Sequence, residues 1–458
     1  MITKKITSIF LLGVALIIFW YIQNAGLPLW FDHGAYKHFI NLLAENNTLD
    51  EIPHYLTYQF EPFSGTFFYS LTAIIWQEIV FSWGYLSIFI LTWVSLFLLG
   101  KKKKKYTIGS YFWLFLFFFS AIQYMNLWWA FGKQMFATFF LILLMRYYKN
   151  SLVAFVLMTA CLSLHRLTGF VALLYFVFSY LLLDRKNLKH YYALLLGLWV
   201  AVLSYISSFY EQIFSFLKNF ITNPGNQIFI SGKYGTGFNS WELFYYLVPI
   251  SLMVFLWFAY RFQDKNLNGI FRKPHILCLI VVALMVLLRS VAHTRLWTFL
   301  DLFLIITITR SLYHVLEKKW IYTFMIIQCV TWGVFANKWH TPFIDKTEYQ
   351  IIQDITKNTP EDVTLVTLSW AYMSWMSGHT EKEIYSLYQW ISSEIWSQKD
   401  KYLMRYYPWT LCHNLWKLDG NIFIFQWRKD AFPSLENNTC LEKVQQWKNG
   451  SALLLYQR

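Results

Sequence analysis

The sequence predicts a polytopic α-helical membrane protein, with about 11 transmembrane helices and a small C-terminal extracytoplasmic α/β domain. Of its 458 residues, 57% are hydrophobic and only 14% are charged, whereas a soluble domain carries about 25% charged residues. The deficit lies in long apolar runs such as Tyr85–Leu99 and Tyr191–Tyr205. Aromatic residues make up 21% of the chain, and Trp or Tyr at the ends of apolar runs is typical of a membrane interface.

The basic residues predict the orientation of these helices. We place the spans near residues 6–24, 84–100, 106–122, 129–147, 151–164, 167–183, 191–209, 242–260, 275–288, 296–309 and 320–337. With the N-terminus in the cytoplasm, most Lys and Arg residues fall in inner loops, including the run Lys101–Lys105, as the positive-inside rule requires. The alternative is twelve spans with the N-terminus outside, if the apolar segment Phe63–Val80 also crosses the bilayer.

The predicted organisation is a transmembrane domain over residues 1–338 and an extracytoplasmic α/β domain over residues 339–458. The first domain contains a long outer loop at 25–83 and a second at 210–241. The tail should hold three strands and two helices, at Val363–Leu368, Asn421–Trp427, Ala452–Tyr456, Thr347–Lys357 and Lys382–Ser397. An extracytoplasmic tail would allow a disulfide between Cys412 and Cys440, and the sequence leaves this pairing open.

The charge balance bears on partners and location. A net charge of +14 would suggest nucleic acid for a soluble protein, but the basic residues here mostly punctuate apolar runs. We therefore expect the lipid bilayer as a partner and no nucleic acid. The first apolar stretch has no small-residue cleavage site after it, so it should be retained. We expect a multi-pass protein of a prokaryotic inner membrane.

Two carboxylates of the first outer loop are the candidate catalytic acids. Asp32 lies in the segment Trp30–Tyr36, and Glu61 follows 29 residues later, just before Pro62. An aromatic, partly dry setting raises the pKa of a carboxyl group and improves it as a base. The alternative is an ordinary solvated loop with a turn at Gly34.

Cationic residues at the outer ends of predicted helices form the second candidate set. Charges there run against the positive-inside trend, and ionisable residues at membrane depth indicate function. Several such turns could together hold one anionic group, such as a lipid phosphate or pyrophosphate. The alternative is that each side chain extends to the lipid headgroups. The set comprises Lys133, His165, Arg166, Arg289, His293 and Arg295.

Other polar features predict less. Asp301 lies six residues after Arg295 in an apolar helix, where pairing with a cation is expected more than catalysis. The segment Lys233–Gly237 lacks the Gly-Lys-Ser/Thr ending of a phosphate loop. No pair of histidines has metal-binding spacing, so no cofactor is expected, and a divalent metal has no support in the sequence.

These motifs together resemble the GT-C superfamily of membrane glycosyltransferases, which includes protein mannosyltransferases and lipid A aminoarabinose transferases. The resemblance covers nearly the whole chain through short, degenerate motifs. They are Asp32 with Gly34 and Tyr36, Glu61 with Pro62, Phe131–Gln134 with Leu164–Gly169, and a tail that opens with Thr359–Val363.

The resemblance implies inverting transfer of a sugar from a polyprenyl-phosphate donor to a glycan, lipid or protein acceptor outside the cell. By analogy, Asp32 would take the proton of the acceptor hydroxyl and Glu61 would assist. Lys133, Arg166, Arg289 and Arg295 would stabilise the leaving phosphate. The chain departs from some members by lacking an Asp-Asp or Asp-Glu pair after the first span, so a metal stays without support.

Two other functions remain open. Polysaccharide polymerases of the Wzy and EpsG-like kind share an early Asp, an outer Glu and a basic residue before Gln, although Lys133 stands where they would have arginine. A transporter or flippase for a lipid-linked substrate would also be apolar and basic. It should show inverted repeats and broken helices, which this sequence lacks.

Overall fold

The computed structural model describes two compact parts of the chain. The first, here called the helical unit, comprises 115–128, 132–183, 185–199, 272–288, 293–308 and 318–339, with a few isolated residues from Leu91 to Phe255. The second, the α/β unit, comprises 344–368, 370–380, 382–387, 396–427, 432–435 and 438–457, with the isolated Lys37.

The described helices of the helical unit follow the apolar runs of the sequence. They are α1 (Ala121–Trp128), α2 (Gly132–Tyr147), α3 (Ser151–Leu164), α4 (Arg166–Leu183), α5 (Pro274–Leu287), α6 (His293–Thr307) and α7 (Lys318–Trp339).

The predicted membrane architecture is contradicted. Across the described ranges, no helix is both long enough and apolar enough to cross a bilayer. Helices α3 and α5, for example, have 14 residues each and are therefore about 21 Å long, shorter than the hydrocarbon core of about 30 Å. The prediction of about 11 transmembrane helices and the multi-pass membrane localisation are corrected by this finding.

Several predictions concern residues that the structure does not describe. They include the span 6–24, nearly all of 84–100 and 242–260, and parts of 106–122 and 191–209. The outer loop 210–241, and the loop 25–83 apart from Lys37, also lie outside the described residues.

Helices α2, α3 and α4 pack as consecutive antiparallel hairpins. Asn150 begins α3 as its N-cap, because its side-chain oxygen accepts from the amide of Val153 at 3.2 Å. The α3–α4 contact is close at Gly169, where an added Cβ would lie 2.6 Å from Leu162 Cα. A glycine is therefore required for this approach of the two helices.

The α/β unit has a five-stranded mixed sheet. Its helices are α8 (Lys346–Asn358), α9 (Trp370–Ser377), α10 (Gln398–Tyr406) and α11 (Pro408–Leu415), and its strands are β1 (Val363–Thr367), β2 (Ile384–Ser386), β3 (Asn421–Gln426), β4 (Leu441–Gln446) and β5 (Ala452–Tyr456). The strand order is β2-β1-β3-β5-β4. Strands β1, β2 and β3 are parallel, and β5 is antiparallel to both β3 and β4.

Period-two alternation divides the sheet into two covered faces. Leu365 and Leu453 belong to one buried cluster, which also contains residues of α8 and α9. Val366 and Leu454 belong to another, which contains residues of α10 and α11. The unit is therefore a three-layer sandwich with helices on both faces of the sheet.

The tail's predicted strands lie where β1, β3 and β5 are found, and its first predicted helix lies at α8. The predicted helix Lys382–Ser397 is wrong at its start, because residues 384–386 form β2. Strand β2 pairs with β1, with Leu365 opposite Ile384, and this distant pairing overrides local preference. The structure also contains a Cys412–Cys440 disulfide, with the Cα atoms 6.1 Å apart.

Candidate functional site

A cluster of polar side chains is buried where α1, α2 and α6 meet. Its members are at most 4% exposed. Burying a polar group is unfavourable unless it is hydrogen-bonded, so such a cluster needs a structural or functional reason. We call it the polar cluster, and it consists of Ser120, Gln123, Asn126, Gln134, Thr298 and Asp301.

Asp301 is the acidic member of the polar cluster and is fully buried on α6. Its Oδ2 accepts hydrogen bonds from Ser120 Oγ at 2.7 Å and Gln123 Nε2 at 2.9 Å, while its Oδ1 has no hydrogen-bond partner within the described part of the chain. Burial raises the pKa of Asp301 to about 7, and the two hydrogen bonds partly oppose that rise. The cation expected to pair with this carboxyl is not found among the described residues, since hydroxyl and amide donors hold it instead.

A chain of hydrogen bonds joins α2 to α6. The Thr298 hydroxyl donates to the Arg295 carbonyl oxygen at 2.8 Å, so it must act as an acceptor toward Gln134 Nε2, which lies 2.6 Å away. Gln123 Nε2 donates to the Thr298 carbonyl oxygen at 2.7 Å. Helices α1 and α2 are thus both bonded to the same turn of α6.

This bonding brings two cation-bearing helix starts together. Lys133 lies in the first turn of α2, next to Gln134, and is 8% exposed. Arg295 lies in the first turn of α6, half-buried, one turn before Thr298. The first turn of a helix has free N–H groups and the positive end of the helix dipole. Two helix starts of this kind, one carrying a lysine and the other an arginine, favour the binding of an anion.

His165 lies at the same end of α2. The thiol of Cys161 on α3 contacts the Ala137 carbonyl on α2 at 3.5 Å. Because the two helices are antiparallel, moving one turn along each places His165 level with Lys133. His165 Nδ1 accepts from the Thr168 amide at 3.3 Å and lies 2.9 Å from the Thr168 hydroxyl. It therefore caps α4, and in the neutral ring the proton is on Nε2.

The predicted cations thus have three different outcomes. The Gln134–Thr298 bond joins the helix starts that contain Lys133 and Arg295, and the α2–α3 contact places His165 about level with Lys133. Arg166 and His293 are the first residues of α4 and α6, but only their backbone is described. Arg289 lies outside the described residues, as do both predicted acids, Asp32 and Glu61.

Sequence reasoning missed the amide and hydroxyl members of the polar cluster. Ser120, Gln123 and Asn126 interrupt an otherwise apolar and aromatic run, which is a detectable signal, since uncompensated polar groups are rarely buried. Their partners could not be deduced, because Ser120 and Asp301 are 181 residues apart in the chain.

Neither metal-binding side chains nor similarity identifies the site further. In the ranges that the structure describes, no group of three or more His, Cys, Asp or Glu residues comes together that could hold a metal ion. No protein-family model matches the chain, and no curated protein matches it either.

Proposed function

We propose that this protein is a glycosyltransferase that moves a sugar from a polyprenyl-phosphate donor to a hydroxyl group of an acceptor. The observation that carries the proposal is the Gln134–Thr298 hydrogen bond of 2.6 Å. It joins the helix start that contains Lys133 to the one that contains Arg295. The proposal is therefore supported by a cationic end of the helical unit, which is formed by helix starts from separate parts of the chain.

The chemistry of transfer explains why such an end is useful. The acceptor oxygen attacks the anomeric carbon, the carbon–oxygen bond to the phosphate breaks, and the electron pair leaves with the phosphate. Negative charge grows on the leaving phosphate, and preorganised cations and helix N-termini stabilise it. Residue Lys133 is 8% exposed, and a cation in a setting partly shielded from water attracts an anion more strongly than one in bulk water.

The proton of the acceptor hydroxyl needs a base. Asp32 is proposed for this role and Glu61 for positioning the acceptor, both from the resemblance to the GT-C superfamily. Transfer by direct displacement inverts the configuration of the anomeric carbon, so product stereochemistry is a further measure of the mechanism.

The test is transfer of a radiolabelled sugar from a polyprenyl-phosphate donor in detergent solution. Lys133→Gln and Arg295→Gln should each lower kcat by about a hundredfold, because each removes a cation from the leaving phosphate. Asp32→Asn should lower it by about a hundredfold or more. The matched control is Lys149→Gln, an exposed lysine just beyond the other end of α2, which should keep full activity.

Other outcomes would count against the proposal. Unchanged turnover in both Lys133→Gln and Arg295→Gln would refute the cationic site. Activity only with donors that carry a preassembled oligosaccharide would identify a polymerase instead. Binding of the donor without any sugar transfer would indicate a transporter.

A further inference from the structure

The α/β unit presents an exposed group of aromatic side chains on α10, α11 and the residues that flank them. Trp409 is 76% exposed and Trp416 is 67% exposed. Contiguous exposed apolar patches mark interaction sites, and Trp and Tyr are enriched at protein interfaces. We call this surface the aromatic face, and it consists of Tyr402, Tyr406, Tyr407, Trp409, His413 and Trp416.

The rings of the aromatic face lie along one side of each helix. Trp409, His413 and Trp416 are spaced at i, i+4 and i+7, which places them on one side of α11 over about 10 Å. The rings of Trp409 and His413 are parallel within 2°, with centroids 5.3 Å apart. On α10, the rings of Tyr402 and Tyr406 lie 5.1 Å apart. Each of the two helices thus carries a pair of neighbouring, exposed rings.

The fold holds these rings outward. Met404 and Leu411 on the opposite sides of the two helices are buried in the core. The Cys412–Cys440 disulfide ties α11 to the residue before β4. The Tyr456 hydroxyl donates to the Cys412 carbonyl oxygen at 2.9 Å. A surface fixed in this way loses little conformational entropy when a ligand binds.

The chemistry of the face indicates its ligand. Between residues 398 and 420, all the exposed large hydrophobic residues are Trp or Tyr. An aliphatic contact surface is therefore lacking in this segment. Indole and phenol rings combine an apolar face with a polar edge. A sugar ring has the same character, since its C–H groups form an apolar face and its hydroxyl groups point to the rim.

The charges of the same segment add a second requirement. Lys399 and Lys417 are exposed, and the Arg405 guanidinium lies 5.6 Å from the centre of the Tyr406 ring. Asp400 Oδ2 accepts from the amide and hydroxyl of Ser397 in a capping box. The Ser397 hydroxyl chiefly, with Lys417 and Lys399 nearby, lowers the pKa of this carboxyl. Cations are thus interleaved with stacking rings, which complements an anionic ligand.

We propose that the aromatic face binds an anionic glycan, with sugar rings stacked on Trp409 and Trp416 and its carboxylates or phosphates near Lys399, Arg405 and Lys417. The inference rests on the proposed function, because such a glycan is a class of acceptor for a sugar transferase. It adds a binding surface distinct from the polar cluster of the helical unit.

Binding can be measured on the full chain by fluorescence anisotropy. The probes are a labelled hyaluronan hexasaccharide, which carries carboxylates, and a neutral maltohexaose. The hyaluronan probe should bind more tightly, and its Kd should rise with salt concentration. Trp409→Ala and Trp416→Ala should each weaken binding about tenfold, which corresponds to 1.4 kcal/mol. The matched control is Trp320→Ala, a half-exposed tryptophan of the helical unit, which should bind normally.

Three results would overturn the inference. One is absence of binding to either hexasaccharide at millimolar concentration, and another is equal binding by the Trp409→Ala and Trp416→Ala variants. The third is binding of the face to phosphatidylglycerol vesicles but to neither glycan, which would identify a lipid surface instead. Sugar transfer from the donor is measured separately, so an inactive protein that binds hyaluronan would refute the transferase and leave the aromatic face in place.

Discussion

The substitution Asp301→Asn should flatten the dependence of stability on pH. The pKa of this buried carboxyl is raised from 3.8 to about 7, so the folded protein retains a proton that the unfolded chain has lost. The contribution to stability is full below the unfolded pKa and is lost as pH rises through the folded pKa. Between pH 5.5 and pH 8 this loss amounts to about 2 kcal/mol, out of a limit of about 4 kcal/mol.

The amide introduced by Asp301→Asn does not titrate, yet its oxygen can accept from Ser120 and Gln123 as Asp301 Oδ2 does. The stability of this variant should therefore change by less than about 0.5 kcal/mol over the same pH range. Asp354→Asn is the control, because this carboxylate on α8 is exposed and its replacement likewise exchanges one carboxyl group for an amide.

The assay is hydrogen exchange measured by mass spectrometry at several urea concentrations. Peptides covering residues 115–128 and 293–308 report on the polar cluster directly, which matters because a chain with two compact units need not unfold in one step. If the variant loses as much stability as the wild type between pH 5.5 and pH 8, Asp301 is not the titrating group. A wild-type protein with no such loss would refute the raised pKa itself.

Three further predictions concern helix packing, the disulfide and a buried hydrogen bond. Gly169→Ala should destabilise the helical unit by about 1–3 kcal/mol, since the new Cβ would meet the backbone of Leu162 at 2.6 Å, and the melting temperature measures this. Opening the Cys412–Cys440 link, which spans 28 residues, should cost the α/β unit about 3–4 kcal/mol, as seen in urea titrations with and without reductant. Thr298→Val should cost about 1–3 kcal/mol by leaving Gln134 Nε2 without its acceptor. Hydrogen exchange of residues 132–147 should rise for this variant, and unchanged protection would contradict the role of the hydroxyl.

The positions of several helices and strands could be predicted from the sequence, but the assignment of the helices as membrane spans was wrong. Helices lie at several of the apolar runs predicted as spans, because a long apolar run is a signal carried by neighbouring residues of the sequence. The predicted spans 151–164 and 167–183 already ended near Asn150 and His165, where α3 and α4 begin or end. The error was to accept segments as short as the 14 residues of α3 as membrane spans. Strand β2 was missed because its three residues depend on pairing with β1, a contact that local propensity cannot anticipate.

For the candidate site, too, individual residues could be predicted from the sequence, but contacts between distant residues could not. Lys133 and Arg295 could be selected because basic residues stood out at the ends of apolar runs. Their common location depends on the bond between Gln134 and Thr298, which are 164 residues apart. No single-sequence pattern encodes such a pair, so the meeting of α2 and α6 had to come from the structure.

The polar cluster and the cationic end are best understood as one arrangement. An apolar interface between α1, α2 and α6 would make the folded unit more stable, since buried polar networks often reduce stability relative to apolar packing. Apolar packing would, however, leave the rotation and register of α6 less tightly specified than bonds from both Gln123 and Gln134 to a single residue, Thr298. Those bonds fix the turn that precedes it, which is the turn of Arg295. Burying Asp301 is then part of the cost of holding the two helix starts in register. Because Asp301→Asn keeps an acceptor for Ser120 and Gln123, this variant should gain stability at high pH without loss of alignment at the cationic end.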